Sequence, residues 1–264
     1  LALWQGGIAR VAVTEVESAE LRSKVAWQQE HGHACDWLDA GALWAPQDGA
    51  LDPKRLVQAL RADAERSGAV LVNDRAVRLD RDGERITGVI GEKDSYSAAE
   101  IVVAAGAWSG KLQGLPRTLP VRPVRGQMAA VPWPAAIPPA IVYHKDCYLL
   151  SRRDEAIIGS TMEDAGFNPG VTSAGLAQIL AATVSLSPAL MRAKVRRTWA
   201  GLRPMTPDGL PIIGRETRLG GLWYATGHGR NGILLAGITG LLVRQLIDGQ
   251  QPTKDLRALS PDRF

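Results

Sequence analysis

The sequence predicts a mixed α/β fold, and three observations predict it. Apolar Leu56, Val57, Leu60 and Ala64 recur at helical spacing behind Asp52-Pro53. Beyond Ala69 the apolar pattern shortens to period two and continues through residues 76–79, 86–90 and 101–105. Near the end, Leu222-Trp223-Tyr224-Ala225-Thr226 passes through a glycine-rich turn into a long apolar segment, residues 233–247. Helix, strand, hairpin and buried strand in that order are the pattern of an α/β sheet.

In chain order, residues 7–13 (GIARVAV) read as a strand. Thr14 and Glu17 follow at capping-box spacing and open a surface helix that reaches about residue 30. The second helix starts at Pro53, where a first turn needs no N–H, and Gly68 ends it. Residues 69–72 read as a strand, residues 76–79 and 86–90 as a hairpin turning at Asp82-Gly83, and residues 101–106 as a buried strand. Prolines crowd residues 115–139, which predicts a change of domain with edge strands and loops rather than helix. A further β region covers residues 141–161, helix returns over 172–183, and Ser187-Pro188 starts another around 189–192. The segment 233–247 is apolar nearly all round, so it is expected to be a buried helix, capped at Gly249.

Composition narrows the function. Lys and Arg number 31 against 27 Asp and Glu, a net charge of +4, too mild to dominate a phosphate footprint. The Arg192 to Arg203 cluster has no interleaved aromatic except Trp199, so nucleic acid is not an expected partner. With 45% hydrophobic and 22% charged residues the chain is an ordinary globular one, which excludes disorder, collagen and coiled coil. Cys35 and Cys147, the 2 cysteines, exclude a disulfide scaffold and fit a reducing, cytoplasmic address. The longest apolar run, residues 232–243, is shorter than the roughly 20 residues of a membrane span. His31, His33, His144 and His228 show no ligand spacing with cysteines or carboxylates, so no metal is expected.

Gly227-His228-Gly229-Arg230-Asn231-Gly232 matches G-x-G-x-x-G and lies between a strand and a helix. A dinucleotide-binding βαβ unit needs a second parallel strand beyond the helix, with an acidic residue about twenty positions on. Past Gly249 there is only QQPTKDLRALSPDRF, with no buried strand to supply it. The local physics survives: a glycine turn lets backbone approach a ligand, and a helix N-terminus favours something electron-rich. A tight turn with no ligand is the alternative.

Four blocks follow one another over nearly the whole chain: Ile101-Val102-Val103-Ala104-Ala105-Gly106-Ala107-Trp108-Ser109, Trp199-Ala200-Gly201-Leu202-Arg203-Pro204, Thr206-Pro207-Asp208-Gly209-Leu210-Pro211-Ile212-Ile213-Gly214, and Gly227 through Leu235, with Tyr143-His144-Lys145-Asp146-Cys147-Tyr148 between them. In order and spacing they resemble the flavin-dependent amine oxidases of the D-amino-acid oxidase superfamily, and within it the glycine oxidase branch of thiamine biosynthesis. The resemblance implies a glutathione-reductase-like FAD-binding domain interleaved with an antiparallel-sheet substrate domain. Residues 1–50 and 116–200 are expected in the substrate domain, and 51–115 and 201–264 in the FAD-binding one. Members begin with a βαβ unit whose G-x-G-x-x-G holds the FAD pyrophosphate. This chain opens with Leu1-Ala2-Leu3-Trp4 and shows no such unit, so its FAD-binding domain is expected to be incomplete at the N-terminus.

An amino acid oxidase must hold an α-carboxylate and place the Cα–H against the flavin, which does the redox chemistry. Arg203 is the first choice for the carboxylate, because a planar guanidinium grips both oxygens, and the resemblance agrees. The alternative is an arginine of the basic face with Arg192, Lys194, Arg196 and Arg197. The resemblance further implies substrate contacts by Tyr148, Arg230 and Met162, of which Tyr148 could otherwise be a half-buried strand tyrosine and Met162 plain core. For the cofactor it implies backbone around the isoalloxazine from His228, Gly229, Arg230, Asn231, Gly232, Ile233 and Leu234. Ala105, Gly106 and Trp108 would lie beside the flavin and Val77 by the adenine. Gly232, Ala236 and Gly240 give the last helix a face small enough for close packing on sheet or cofactor. No general base stands out, which suits hydride transfer from a neutral amine. Residues 199–264 hold no cysteine, so the FAD is expected to be non-covalent.

The expected activity is oxidation of glycine or another small amino acid to an imine, with hydrolysis to the oxo acid and ammonia and reduction of oxygen to hydrogen peroxide. The alternatives are a D-amino-acid dehydrogenase with a quinone acceptor, and a non-catalytic fragment that binds an acid or a partner. Oligomeric state is not set by the sequence, and a homo-oligomer is compatible with it.

Overall fold

The computed structural model describes residues 3–134, 138–144 and 147–264. Of the 143–148 block, Lys145 and Asp146 lie outside the described residues. The chain folds into two units, each discontinuous: residues 1–69, 126–163 and 169–201 form the first, and residues 70–125, 164–168 and 202–264 the second.

The first unit opens with β1 (Leu3–Trp4), β2 (Ile8–Val11), α1 (Glu15–Glu30), β3 (Asp36–Leu38), β4 (Ala42–Ala45), β5 (Ala50–Leu51) and α2 (Pro53–Arg66). The second takes over with β6 (Ala76–Asp82), β7 (Arg85–Gly91), β8 (Ser95–Ser97) and β9 (Ile101–Val103), then a 3-10 turn, Gly106–Lys111. The division falls within β10 (Arg122–Pro132), after which the first unit adds β11 (Ile141–His144), β12 (Cys147–Arg152), β13 (Glu155–Gly159) and α3 (Ser173–Leu186). It falls again within β14 (Arg197–Met205), and the second unit ends with β15 (Ile212–Arg215), β16 (Leu222–Thr226), α4 (Gly232–Ile247) and the 3-10 turns Arg257–Leu259 and Pro261–Arg263.

Helix starts obey their caps. The Thr14 hydroxyl accepts from the Glu17 N–H at 3.2 Å while the Glu17 carboxylate reaches back to the Val13 N–H at 2.9 Å, the reciprocal arrangement of a capping box. Asp52 accepts from the Lys54 and Arg55 N–H groups ahead of Pro53, and Thr172 accepts from Gly175. Helix α1 is a surface helix that buries only Leu21 and Val25, against Cys35 and Leu43.

An eight-stranded sheet in the order β14-β10-β13-β12-β11-β2-β4-β3 carries the first unit. The pairings β10/β13, β13/β12, β12/β11, β2/β4 and β4/β3 are antiparallel, and β11/β2 is parallel. Its core gathers Ala129, Val131, Leu149, Ala156 and Ile158 of the sheet with Ile179 of α3. The second unit has two three-stranded sheets, β15-β16-β9 with β16/β9 parallel, and the meander β6-β7-β8. Leu79, Ile86, Val103, Ile212, Leu222 and Tyr224 form its core. Each such side chain taken fully from water contributes about 1.5–3 kcal/mol.

A buried ion pair closes that second core. Arg117 donates from Nε to Glu216 Oε2 at 2.6 Å and from Nη2 to Oε1 at 2.7 Å, with the two side chains 3% and 0% exposed. The same guanidinium reaches the Pro261 carbonyl at 2.6 Å and Asp262 at 2.5 Å, so it fastens the C-terminal turn. Tyr224 Oη and the Arg218 N–H, each at 2.8 Å, complete the shell of Glu216. Burial pushes the Glu216 carboxyl up, but Arg117 and these donors outweigh it and hold it below the ordinary value.

The structure departs from the sequence reading in six places. Residues 69–72 are not a strand: Val70 is 84% exposed, and nothing pairs with this segment among the described residues. The proline-rich stretch does not hold only edge strands and loops. It contains β10, an interior strand between β14 and β13, whose residues Pro123 to Gln127 are buried, because Pro123 comes early in a strand whose later residues make the ladder to β13. Residues 101–106 end as a strand at Val103, with Ala104 and Ala105 exposed before the 3-10 turn. The expected break at residue 51 moves to residue 69, since β5 is tied to β1 through Leu3↔Leu51. Helix α4 buries only Thr239, Leu242 and Val243, and Leu234 is 82% exposed, because one face alone packs on β15 and β16. The helix expected around 189–192 is a 3-10 turn, Pro188–Leu190. No helix among the described residues is long and apolar enough to cross a membrane.

Candidate functional site

In the second unit the turn between β16 and α4 is built so that only glycine fits at its entry. Gly227 has φ +76°, and a Cβ there would lie 2.6 Å from Thr206 Cγ2. Two residues on, the Gly229 N–H donates to the Pro204 carbonyl at 2.8 Å. That bond ties the turn to β14 one residue beyond Arg203. The turn closes through Asn231 N–H to the His228 carbonyl at 3.0 Å, and α4 begins at Gly232.

The His228 ring lies 3.0 Å from Thr239 Oγ1 through Nε2, about two turns into α4. Burial pushes its pKa below the ordinary value, so the imidazole is neutral near pH 7. Asn231 makes no side-chain cap, and the first turn of α4 carries no acidic residue. The partial positive charge of the helix end is therefore not offset by the helix's own side chains. Arg230 and Leu234 are exposed beside it, Ile233 is 48% exposed, and Arg203 is half-buried.

The segment after β9 carries the second set of expected contacts. Gly106, at φ +55°, has no atom within 4 Å of where a Cβ would stand. Trp108 is 53% exposed, its ring 5.7 Å from that of Phe167. Val77 sits at a register shift between Ala76 and Arg78 in the β6/β7 ladder, and its carbonyl accepts from the Gln113 N–H at 3.0 Å. Ala236 is exposed, and a Cβ on Gly240 would meet nothing within 4 Å, so the small face of α4 is not packed on the sheet of this unit.

In the first unit Tyr148 pairs across β12 and β11 with Tyr143, rings 5.5 Å apart. On the other side it stands opposite Gly159, where a Cβ would be 3.4 Å from the Tyr148 hydroxyl and 2.9 Å from Met128 Cγ. Met162 is 59% exposed, which removes the reading of it as core of this unit.

The structure thus joins the glycine turn to the strand of Arg203 within one unit, together with Val77, Ala105, Gly106 and Trp108. Tyr148 and Met162 belong to the other. Thr239, Gly159 and the Pro204 carbonyl escape sequence reasoning, though Pro204, inside the Arg203 block, and Thr239, beside Gly240, lay next to flagged residues. The open side of Gly106 and the uncompensated start of α4 suit a flat group that carries negative charge.

Comparison with known proteins agrees. The bifunctional protein ThiO/ThiG of Trichormus variabilis is 37% identical over 231 residues, 85% of this chain and 34% of that protein, so this chain spans about a third of that relative's length. The glycine oxidase of Geobacillus kaustophilus is 30% identical over 285 residues, covering 100% of this chain and 75% of that protein. The crystal structure of glycine oxidase from Geobacillus kaustophilus superposes with a TM-score of 0.93 at 29% identity, over 100% of this chain and 76% of that one. A family model for FAD dependent oxidoreductases matches residues 2–246, and with that span and these relatives the chain belongs to the FAD dependent oxidoreductase family.

Proposed function

We propose that the protein is an FAD-dependent oxidase of glycine or another small amino acid, with the flavin held non-covalently by the second unit. The observation that carries the reading is the Gly229 N–H bond to the Pro204 carbonyl at 2.8 Å, which fixes the glycine turn against the strand that presents Arg203. When bound, FAD supplies the redox chemistry, accepting hydride from the substrate Cα and passing electrons to oxygen.

The protein's own part is to bind and orient. Arg203 grips the substrate carboxylate with two of its guanidinium N–H groups, a charge-assisted pair that fixes orientation as well as affinity. The N-terminus of α4, with backbone from His228 to Leu234, favours negative charge on the ligand beside it. The neutral His228 adds no charge of its own at that end. Roles for Tyr148, Met162 and Arg230 toward substrate, and for Val77 and Trp108 toward the cofactor, rest on the family resemblance alone. So does the assignment of the first unit to substrate and the second to FAD. Cys35 and Cys147, both buried and neither joined in a disulfide, support a cytoplasmic address.

The test is the visible spectrum of the purified protein before and after anaerobic glycine, with peroxide measured once air is admitted. A flavin spectrum that glycine bleaches is expected. Arg203→Ala should keep the spectrum while needing about 10- to 100-fold more glycine, the loss of a hydrogen-bonded charge. A protein that takes up no FAD, or an Arg203→Ala variant bleached at the original glycine concentration, overturns the reading.

A further inference from the structure

Two hydroxyls buried in the second unit link the two segments assigned above to the flavin. Ser109, 0% exposed, lies in the 3-10 turn after β9, and Thr226, 1% exposed, is the last residue of β16 before the glycine turn. Their oxygens are 2.7 Å apart, across 117 positions of sequence. Thr226 Oγ1 also donates to the Gly106 carbonyl at 3.1 Å. A threonine hydroxyl has a single proton. If it goes to Gly106, the Ser109 hydroxyl must be the donor to Thr226, and the chain of bonds runs Ser109 to Thr226 to Gly106 in one direction.

The terminus of that chain is the one residue of the segment whose backbone is unusual. Gly106 sits at φ +55° beside open space, while the neighbouring Ala105 carbonyl is already occupied by the Trp108 N–H at 3.0 Å. In a trans peptide the C=O and the following N–H point opposite ways. Holding the Gly106 carbonyl on Thr226 therefore aims the Ala107 N–H away from Thr226 and sets the peptide plane beside the open side of Gly106. Nothing in the core requires this: two apolar side chains of the same shape would fill the space without leaving polar atoms to satisfy.

We propose that Ser109 and Thr226 are positioning residues for the flavin, Thr226 holding the Gly106 peptide plane in its binding orientation and Ser109 acting only through Thr226. The proposal rests on the reading that the second unit binds FAD. It orders the variants. Thr226→Val breaks both bonds, Ser109→Ala breaks only the outer one, and Thr226→Ser keeps the hydroxyl.

The experiment measures the FAD dissociation constant by flavin fluorescence quenching, with urea stability recorded in parallel, on the purified protein and on each variant. Thr226→Val should weaken FAD about 5- to 10-fold, the worth of one neutral hydrogen bond. Ser109→Ala should weaken it less, and Thr226→Ser should stay within about twofold of the parent. The Ser109→Ala/Thr226→Val pair should bind FAD no worse than Thr226→Val alone, and be more stable than it, since the orphaned Ser109 hydroxyl is gone. If Thr226→Val does not fold, Ser109→Ala against Thr226→Ser carries the comparison. Variants that lose stability but bind FAD as the parent does overturn the proposal alone. A parent protein that binds no FAD overturns the cofactor reading and the proposal with it.

Discussion

Replacing Arg117 by Met is the sharpest probe of what holds the second unit together. The substitution keeps most of the apolar stem and removes the guanidinium, leaving Glu216, 0% exposed, facing no cation at 2.6 Å. Tyr224 Oη and the Arg218 N–H, each at 2.8 Å, still bond the carboxylate, so the group is not bare. Breaking a buried pair by removing one partner costs about 3–5 kcal/mol. The retained donors argue for the lower half, about 3 kcal/mol, a large share of the roughly 5–15 kcal/mol that holds a native protein folded. Urea unfolding at pH 7 followed by tryptophan emission reads the loss, since Trp223 lies on β16 beside Tyr224. The pH dependence gives an independent check. In the parent, Glu216 is held below its ordinary 4.5, so its contribution is present above pH 4.5 and is lost as pH falls through the lower folded value. Without Arg117, burial dominates and raises the folded value, so the variant's deficit should shrink as pH falls from 7 toward 4.5. Arg117→Met combined with Glu216→Leu should recover most of the loss, because a buried pair replaced whole by apolar groups is near neutral. A cost under about 1 kcal/mol for the single change, or a deficit that does not vary with pH, refutes the reasoning.

Three further outcomes are expected. Gly227→Ala meets both φ +76° and a contact of 2.6 Å with Thr206 Cγ2, and should lower the calorimetric melting temperature by about 3–10 °C, whereas Gly232→Ala, whose Cβ would find only His228 Cβ at 3.6 Å, should not. His228 is held below its ordinary 6.5 by burial, so the unfolded chain takes up a proton that the folded one refuses; stability should fall as pH drops below 6.5, and His228→Asn should lose that slope in denaturation at pH 5 and 7. Asp208 is held at about 2, first by its bond to Arg263, and the stability this confers should disappear as pH falls from 3.8 through about 2. With the Asp208 side chain 35% exposed, solvent screening limits that effect to about 1 kcal/mol, which acid titration of Arg263→Ala checks by its absence.

Local rules were legible in the sequence wherever the partners were local. Thr14 and Asp52 cap helices that start where their spacing says, and the β6/β7 hairpin turns beside Asp82-Gly83. The glycine turn and the Arg203 block were visible for the same reason, as contiguous motifs. What failed was burial. An apolar stretch reveals its period but not whether anything covers it, so residues 69–72 looked like a strand and α4 like a buried helix. Proline density hid β10, because a proline near a strand's start costs the ladder little while reading as a breaker. Bonds between distant segments left no trace at all: Arg117 and Glu216 are 99 positions apart, and Ser109 and Thr226 are 117.

The interleaving of the two units has a consequence for how the chain can be made. Each unit takes segments from early and late in the sequence, and the second unit's buried cation waits for partners 144 and 145 positions downstream, at Pro261 and Asp262. The second unit cannot close until residues 261 and 262 are made, so β6 to β9 wait while residues 126–201 of the first unit are synthesised. Such a topology folds slowly and leaves apolar β9 uncovered while it waits, which makes the nascent chain a client for chaperones and makes loss of Pro261 and Asp262 more damaging than their place in a short 3-10 turn would suggest.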